Sequence, residues 1–143
     1  MDTNKYVRWV NVDDAHYLAA LNEEFNEVII TKEEIENSLE NTKELIAVAI
    51  LDEQPVGFAC AQYFKSFCYR DAQGEITEMY IRPSARGNGF SSLLLAFLEQ
   101  RLKEYGVTTV KILTGKDNKI AQKAYERLNY YKEDELVLQK DLS

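Results

Sequence analysis

Between an extended run ending at Ile81 and an apolar-periodic run beginning at Phe90, the chain reads Arg82-Pro83-Ser84-Ala85-Arg86-Gly87-Asn88-Gly89-Phe90-Ser91-Ser92. Glycines at the start of a helix allow a tight turn and let a ligand approach the backbone without Cβ obstruction. The unpaired N–H groups of a first helical turn, aided by the helix dipole, form an anion site suited to a pyrophosphate. Arg82 and Arg86 add positive charge beside it. A lone Gly-x-Gly would be read as loop shape, so the surroundings decide. A Walker loop needs Gly-Lys-Ser/Thr, which neither this segment nor Thr114-Gly115-Lys116-Asp117 supplies. A dinucleotide fold needs further βαβ units after the turn, and the chain has room for one βα unit only.

Other side chains could act on a ligand held there. Glu75 and Glu78 lie in the strand before the turn, and their odd separation puts them on opposite faces unless a bulge intervenes. Tyr125 lies on the inward face of a later helix that Asn118 can cap, where a tyrosine ordinarily packs. Glu23, Glu24 and Glu27, with Phe67 and Tyr69, combine acids and aromatics in a way that suits a cation, although charged helix faces are commonly just solvated. Cys60, Cys68 and the single histidine, His16, form no metal-binding spacing. Cys60 reads as a small buried apolar residue.

The elements that must position these residues follow from periodicity. Tyr6 to Val10 is a short strand. Asp13 caps a helix through Asn22, with Leu18 and Leu21 on one side. Thr31-Lys32-Glu33-Glu34 opens a second helix as a capping box, with Ile35 and Leu39 on one face. Leu45 to Leu51 is a continuous apolar run, the pattern of a strand covered on both sides. Asp52 to Pro55 turns the chain, and Val56 to Phe64 returns as its hairpin partner. Lys65 to Gly74 is a loop, and Glu75 to Ile81 is a strand stopped by Pro83. Phe90, Leu94, Phe97, Leu98, Leu102 and Tyr105 recur at helical spacing until Gly106. Val107 to Leu113 is a strand. The helix after Asn118 buries Ala121, Ala124, Tyr125 and Leu128, and Asn129 takes the left-handed position that ends it. Tyr130 onward, through Leu136, Val137 and Leu138, closes with one or two strands. The order is β-α-α-β-β-β-α-β-α-β, a mixed, mostly antiparallel sheet of six or seven strands flanked by about four helices.

The 143 residues suffice for one domain, and 45% hydrophobic composition is ordinary for a globular core. A net charge of −7 argues against a nucleic-acid partner, which requires a basic footprint. No run approaches membrane-spanning length and no leader pattern follows Met1, so the expectation is a cytoplasmic protein with no membrane partner.

Two segments carry a resemblance to a known family. Arg86-x-x-Gly89-x-Ser91, following Met79-Tyr80-Ile81-Arg82-Pro83, looks like the Arg/Gln-x-x-Gly-x-Gly/Ala signature of the GNAT N-acetyltransferases, with Ser91 in place of Gly or Ala. Asn118 to Tyr130 resembles that family's Asn-x-x-Ala-x-x-x-Tyr-x-x-x-Gly-Phe, with Asn129 for Gly and Tyr130 for Phe. The order of elements agrees over nearly the whole chain. The resemblance implies an α/β (α+β) fold in which residues 1–143 form a single N-acetyltransferase domain, with acetyl-CoA as co-substrate and no metal. It implies that the strand at Met79, Tyr80 and Ile81 pairs with the pantetheine, and that Arg86, Gly87, Asn88, Gly89, Phe90 and Ser91 hold the phosphates. Asn118 would approach the cofactor arm.

Chemically, an alkylammonium with pKa near 10 is about one part in a thousand nucleophilic at pH 7. A carboxylate must therefore take its proton, directly or through water. By the resemblance Glu78 or Glu75 is that base, and Tyr125 is the acid that protonates the departing thiolate. Glu24, Glu27 and Tyr69 are the expected contacts to a small cationic amine, polyamine- or aminoglycoside-like. The other acceptors to be weighed are a peptide N-terminus and a lysine side chain. A non-catalytic acyl-CoA-binding module is the remaining alternative. The sequence leaves a homodimer open.

Overall fold

The computed structural model describes residues 4–143. They divide into two compact units, residues 4–113 and residues 114–143. The first contains five strands, β1 (Lys5–Trp9), β2 (Leu45–Leu51), β3 (Gln54–Phe64), β4 (Ala72–Ile81) and β5 (Val107–Ile112), and three helices, α1 (Ala15–Asn26), α2 (Lys32–Asn41) and α3 (Phe90–Glu104). The second contains α4 (Lys119–Arg127). The strands lie side by side in sequence order, antiparallel from β1 to β4, with β5 parallel to β4 across the α3 crossover.

Alternation along the strands assigns each face its cover. Ile46, Phe58, Cys60 and Tyr80 project to one face and form a core with Leu18 and Leu21 of α1, joined by Phe25, Ile35 and Leu39. Ala47, Ala49, Ala59 and Ala61 project to the opposite face, all fully buried. Such small residues let a helix lie close to the sheet, and α3 packs across all five strands, burying Phe90, Leu94, Leu95, Leu98 and Leu102. Burying those five large side chains is worth on the order of 10 kcal/mol before entropic costs.

Two sequence expectations are corrected. The first helix is capped not by Asp13 but by Asn11, through a 3-10 turn at Val12–Asp14. Asn11 Oδ1 accepts from the Asp13 N–H (3.0 Å), and Asp14 Oδ2 accepts from the Asn11 N–H (2.9 Å). This capping box is completed by a bidentate Arg8–Asp14 pair, with both contacts 2.8 Å, and it holds the start of α1 against β1. The closing strands after Tyr130 are absent among the described residues, so the sheet has five strands rather than six or seven. Leu136, Val137 and Leu138 are exposed. Strand propensity is expressed only where a neighbouring strand and a face to bury are available, and this triplet, between Glu133-Asp134-Glu135 and Lys140-Asp141, has no ladder partner.

Candidate active site

Two features of β4 build the site. The first is a bulge. Cys60 on β3 stands opposite Glu78, but the next residue, Ala61, stands opposite Ile76, so Thr77 is the extra residue on β4. Glu75 then pairs with Gln62. Cys60 and Gln62 are two apart and project to one face, and opposed residues of an antiparallel pair share a face. The bulge therefore brings Glu75 and Glu78 to the same face, the one covered by α1 and α2. The Thr77 Oγ1 is buried with no hydrogen-bond partner among the described residues.

The second feature is a fork. The parallel β4–β5 ladder runs from Ala72↔Val107 to Ile76↔Ile112 and stops there, while β4 continues to Ile81. Residues 77–81 thus present backbone groups to a strand edge that β5 does not pair. Buried polar backbone groups require partners, so this stretch can pair with an extended, amide-bearing ligand.

At the end of the fork, a 3-10 turn at Pro83–Ala85 leads into the glycine turn. Gly87 and Gly89 both lie in the left-handed region, at φ 82° and 77°. Gly89 is the N-cap of α3 and supplies no side-chain cap, which leaves the first-turn N–H groups open to an anion. Among the described residues, a Cβ on Gly87 would meet nothing within 4 Å, and one on Gly89 would meet the Lys5 Nζ, at 3.9 Å. The turn is held from within by Asn88 Nδ2 donating to the Ala85 carbonyl (2.7 Å) and by Arg86 Nε donating to the Ile81 carbonyl (2.8 Å).

The two arginines do not act alike. Arg86 lies over the Tyr80 ring, 5.9 Å from its centroid. Arg82 is tied to Glu24 of α1, with Nη2 donating to Oε2 (2.7 Å) and Nε to Oε1 (3.2 Å), and the Tyr80 hydroxyl donates to the same carboxylate (3.1 Å). The Arg82 hydrogen bonds hold the Glu24 carboxyl below its ordinary pKa. Glu24 thus fastens α1 to the end of β4, reinforced by Phe25 stacking on Tyr80 at 5.0 Å, and its charge is already balanced. Glu27 is the left-handed C-cap of α1 and is exposed, and Tyr69 is an exposed residue of the β3–β4 loop.

Beside Glu78 the sequence reading missed one acid. Glu44, just before β2, shares the neighbourhood of Cys60 with Glu78. Burial raises the Glu44 carboxyl, and the Glu78 charge adds to that against an opposing Cys60 hydrogen bond. Burial likewise raises Glu78. Burial, followed by the charges of Glu44 and Glu78, drives the Cys60 thiol far up, so it stays protonated. Glu44 belongs to no motif; only the β2–β3–β4 register shows it.

In the second unit, Asn118 Oδ1 accepts from the Ala121 N–H (3.1 Å), capping α4 as expected, and Gln122 Nε2 donates to the Gly115 and Lys116 carbonyls. Tyr125 is half-buried, packs edge-on against Tyr130 at 6.2 Å, and has its phenol pKa raised by burial. Asn129 takes φ 72°, the left-handed end expected of it.

Glu75, Glu78, Met79, Tyr80, Ile81 and the Arg86–Ser91 turn thus lie along one strand and its exit, while Asn118 and Tyr125 lie on α4. The profile of the acetyltransferase (GNAT) family matches residues 8–130, and the chain belongs to that family of acyltransferases. An acetyltransferase of Yersinia pestis (strain Pestoides F) is 29% identical over 109 residues, covering 76% of this chain and 73% of that protein. Among solved structures, the aminoglycoside N-acetyltransferase AAC(6')-Iy in complex with CoA superposes with a TM-score of 0.84 at 16% identity, over 99% of this chain and 97% of the other. A ribosomal-protein-alanine N-acetyltransferase from Brucella melitensis biovar Abortus 2308 gives 0.80 at 16% identity, over 96% and 99%. Both share the fold. No helix among the described residues is long and apolar enough to cross a membrane.

Proposed function

We propose that the chain, acting as one domain over residues 1–143, transfers the acetyl group of acetyl-CoA to a small cationic primary amine. The observation that carries the cofactor reading is the fork. A free β4 edge at Met79–Ile81 runs directly into a glycine turn whose open N–H groups begin α3. The free edge suits the amides of a pantetheine arm and the turn suits its phosphates. Acetyl-CoA supplies an activated thioester carbonyl.

The remaining chemistry falls to side chains of this protein. Glu78 takes the proton from the acceptor ammonium, with Glu75 on the same face as the alternative base. Burial raises the Glu78 pKa, which strengthens it as a base. A backbone N–H of the free β4 edge stabilises the oxyanion as it develops. Tyr125, whose raised pKa keeps the phenol protonated, donates the proton to the thiolate, and Asn118 orders the start of its helix. On the acceptor side, Glu75 and Glu78, with Glu44 beside them, support a cation, as does the net charge of −7. Glu27 and Tyr69 would contact the distal part of the acceptor, and Glu24 would shape the site by holding Arg82.

The test is binding of acetyl-CoA by calorimetry and thermal shift, in the wild type and in Gly89→Glu. The wild type should bind in the micromolar range, about −8 kcal/mol, and the variant, which sets a carboxylate where phosphate belongs, should not bind. Unchanged affinity in a folded Gly89→Glu protein would remove the cofactor assignment. A screen of amines with thiol detection then identifies the acceptor, and preference for neutral or acidic acceptors would contradict the cationic reading.

A further inference from the structure

The glycine turn has a cation that no motif supplies. Lys5 opens β1, where its backbone pairs with Leu51, and its Nζ donates to the Asn88 carbonyl at 2.6 Å, across 83 residues of sequence. The same Nζ is the nearest atom to the position a Gly89 Cβ would take, at 3.9 Å. An ammonium carries three donors, and the bond to Asn88 uses one. Arg82, the nearer residue in sequence, has its charge engaged by Glu24. Arg86 has its Nε on the Ile81 carbonyl. The charge standing at the mouth of the turn therefore includes one delivered by the first strand. That strand is fixed in place by its ladder with β2 and by α3 packing over it. A point charge on a flexible stem suits a phosphate oxygen, which does not demand bidentate geometry.

We propose that Lys5 is a phosphate-binding residue of the cofactor site, contacting the diphosphate or the ribose phosphate of acetyl-CoA while bridging to Asn88. This rests on the acetyl-CoA reading above. Lys5→Met keeps the stem and removes the charge; Lys5→Arg restores it. KM is measured for three donors: acetyl-CoA, acetyl-dephospho-CoA, which lacks the ribose phosphate, and acetyl-pantetheine, which has no phosphate. Lys5→Met should raise KM for acetyl-CoA about fivefold, with kcat and melting temperature unchanged. It should leave acetyl-pantetheine unaffected, and Lys5→Arg should recover most of the loss. Persistence of the effect with acetyl-dephospho-CoA assigns the diphosphate, and its disappearance assigns the ribose phosphate. The dependence of KM on ionic strength should flatten in Lys5→Met, because one screened attraction has been removed. An equal rise in KM for acetyl-pantetheine, or an unflattened salt dependence, would make Lys5 only a latch on the turn and overturn the proposal, as would an unchanged KM for acetyl-CoA. Failure of the wild type to bind acetyl-CoA at all would instead sink the cofactor reading itself.

Discussion

Gly57 on β3 is a sensitive point behind the free end of β4. It stands opposite Ile81 at the free end of β4. A Cβ added there would lie 2.5 Å from the Tyr80 carbonyl oxygen, 2.6 Å from Ile81 Cδ1 and 3.1 Å from Ile81 Cα. Gly57 does not have a positive φ, so Gly57→Ala carries no left-handed penalty and its whole cost is steric. Relief to an ordinary contact of about 3.4 Å requires roughly 1 Å of movement by backbone, which cannot rotate away as a side-chain tip can. Overpacking of this kind costs about 2–3 kcal/mol, or about 6–10 °C in melting temperature for a chain of this size. The displaced atoms belong to the proposed pantetheine-pairing stretch, so kcat/KM for acetyl-CoA should fall at least about tenfold. Calorimetry and steady-state kinetics measure both. Gly106→Ala serves as the control. That glycine has φ 83° and open space around it, so it should lose about 1 kcal/mol through backbone strain with kinetics unchanged. A Gly57→Ala protein with wild-type melting and wild-type kcat/KM would refute the steric reasoning and the role given to this stretch together.

Tyr125→Phe removes only the phenolic proton; kcat should fall about 100-fold with acetyl-CoA affinity unchanged by calorimetry, and wild-type turnover would mean that the thiolate takes its proton elsewhere. Because burial raises the carboxyl of Glu78, the proposed base, which must be ionised to act, the acid limb of the kcat/KM profile should lie above the ordinary carboxylate value of about 4.3, and Glu78→Gln should abolish that limb. Asp14→Asn should destabilise the fold by about 2 kcal/mol at pH 7, a value below the usual cost of breaking a buried pair because Arg8 is a third exposed. Burial pushes the Asp14 carboxyl up, but the hydrogen bonds from Arg8 and the Asn11 N–H outweigh it and hold the folded-state pKa down. Its contribution is thus fully present above the unfolded value of about 3.9 and lost as pH falls through the lower folded value. The melting difference between wild type and Asp14→Asn should accordingly stay flat from pH 8 to 5 and narrow below about pH 4.

The helices and inner strands were legible because their signals are local. Thr31 Oγ1 accepts from the Glu34 N–H as the capping pattern requires, β2 spans Leu45–Leu51 as its apolar run predicts, and α3 begins at Phe90 where its periodicity does. What stayed hidden depends on register or on distant pairing. Nothing in Val12-Asp13-Asp14 reveals that Asp14 is claimed by Arg8, so the sequence pattern points to a cap two residues late. The partnership of Glu24 with Arg82 spans 58 residues, and no spacing rule connects them. Leu136-Val137-Leu138 has the composition of a strand, but a ladder needs a partner that composition cannot supply. For Glu75 and Glu78, an odd separation in a regular strand means opposite faces, and the single extra residue at Thr77 reverses that.

The two features of β4 meet at that extra residue. The last pair of the β4–β5 ladder is Ile76↔Ile112, and the bulge falls at the next residue, Thr77. A bulge bends its strand and sharpens the local twist. On the β3 side the antiparallel ladder resumes at Glu78 and continues to Ile81; on the β5 side the parallel ladder does not. β5 itself ends at Ile112, so beyond the bulge β4 is paired on the β3 side only. The insertion that places two carboxylates on the α1–α2 face thus stands at the first residue of the edge that β5 leaves unpaired. Deleting Thr77 would restore strict alternation, so the shared face of Glu75 and Glu78 should be lost.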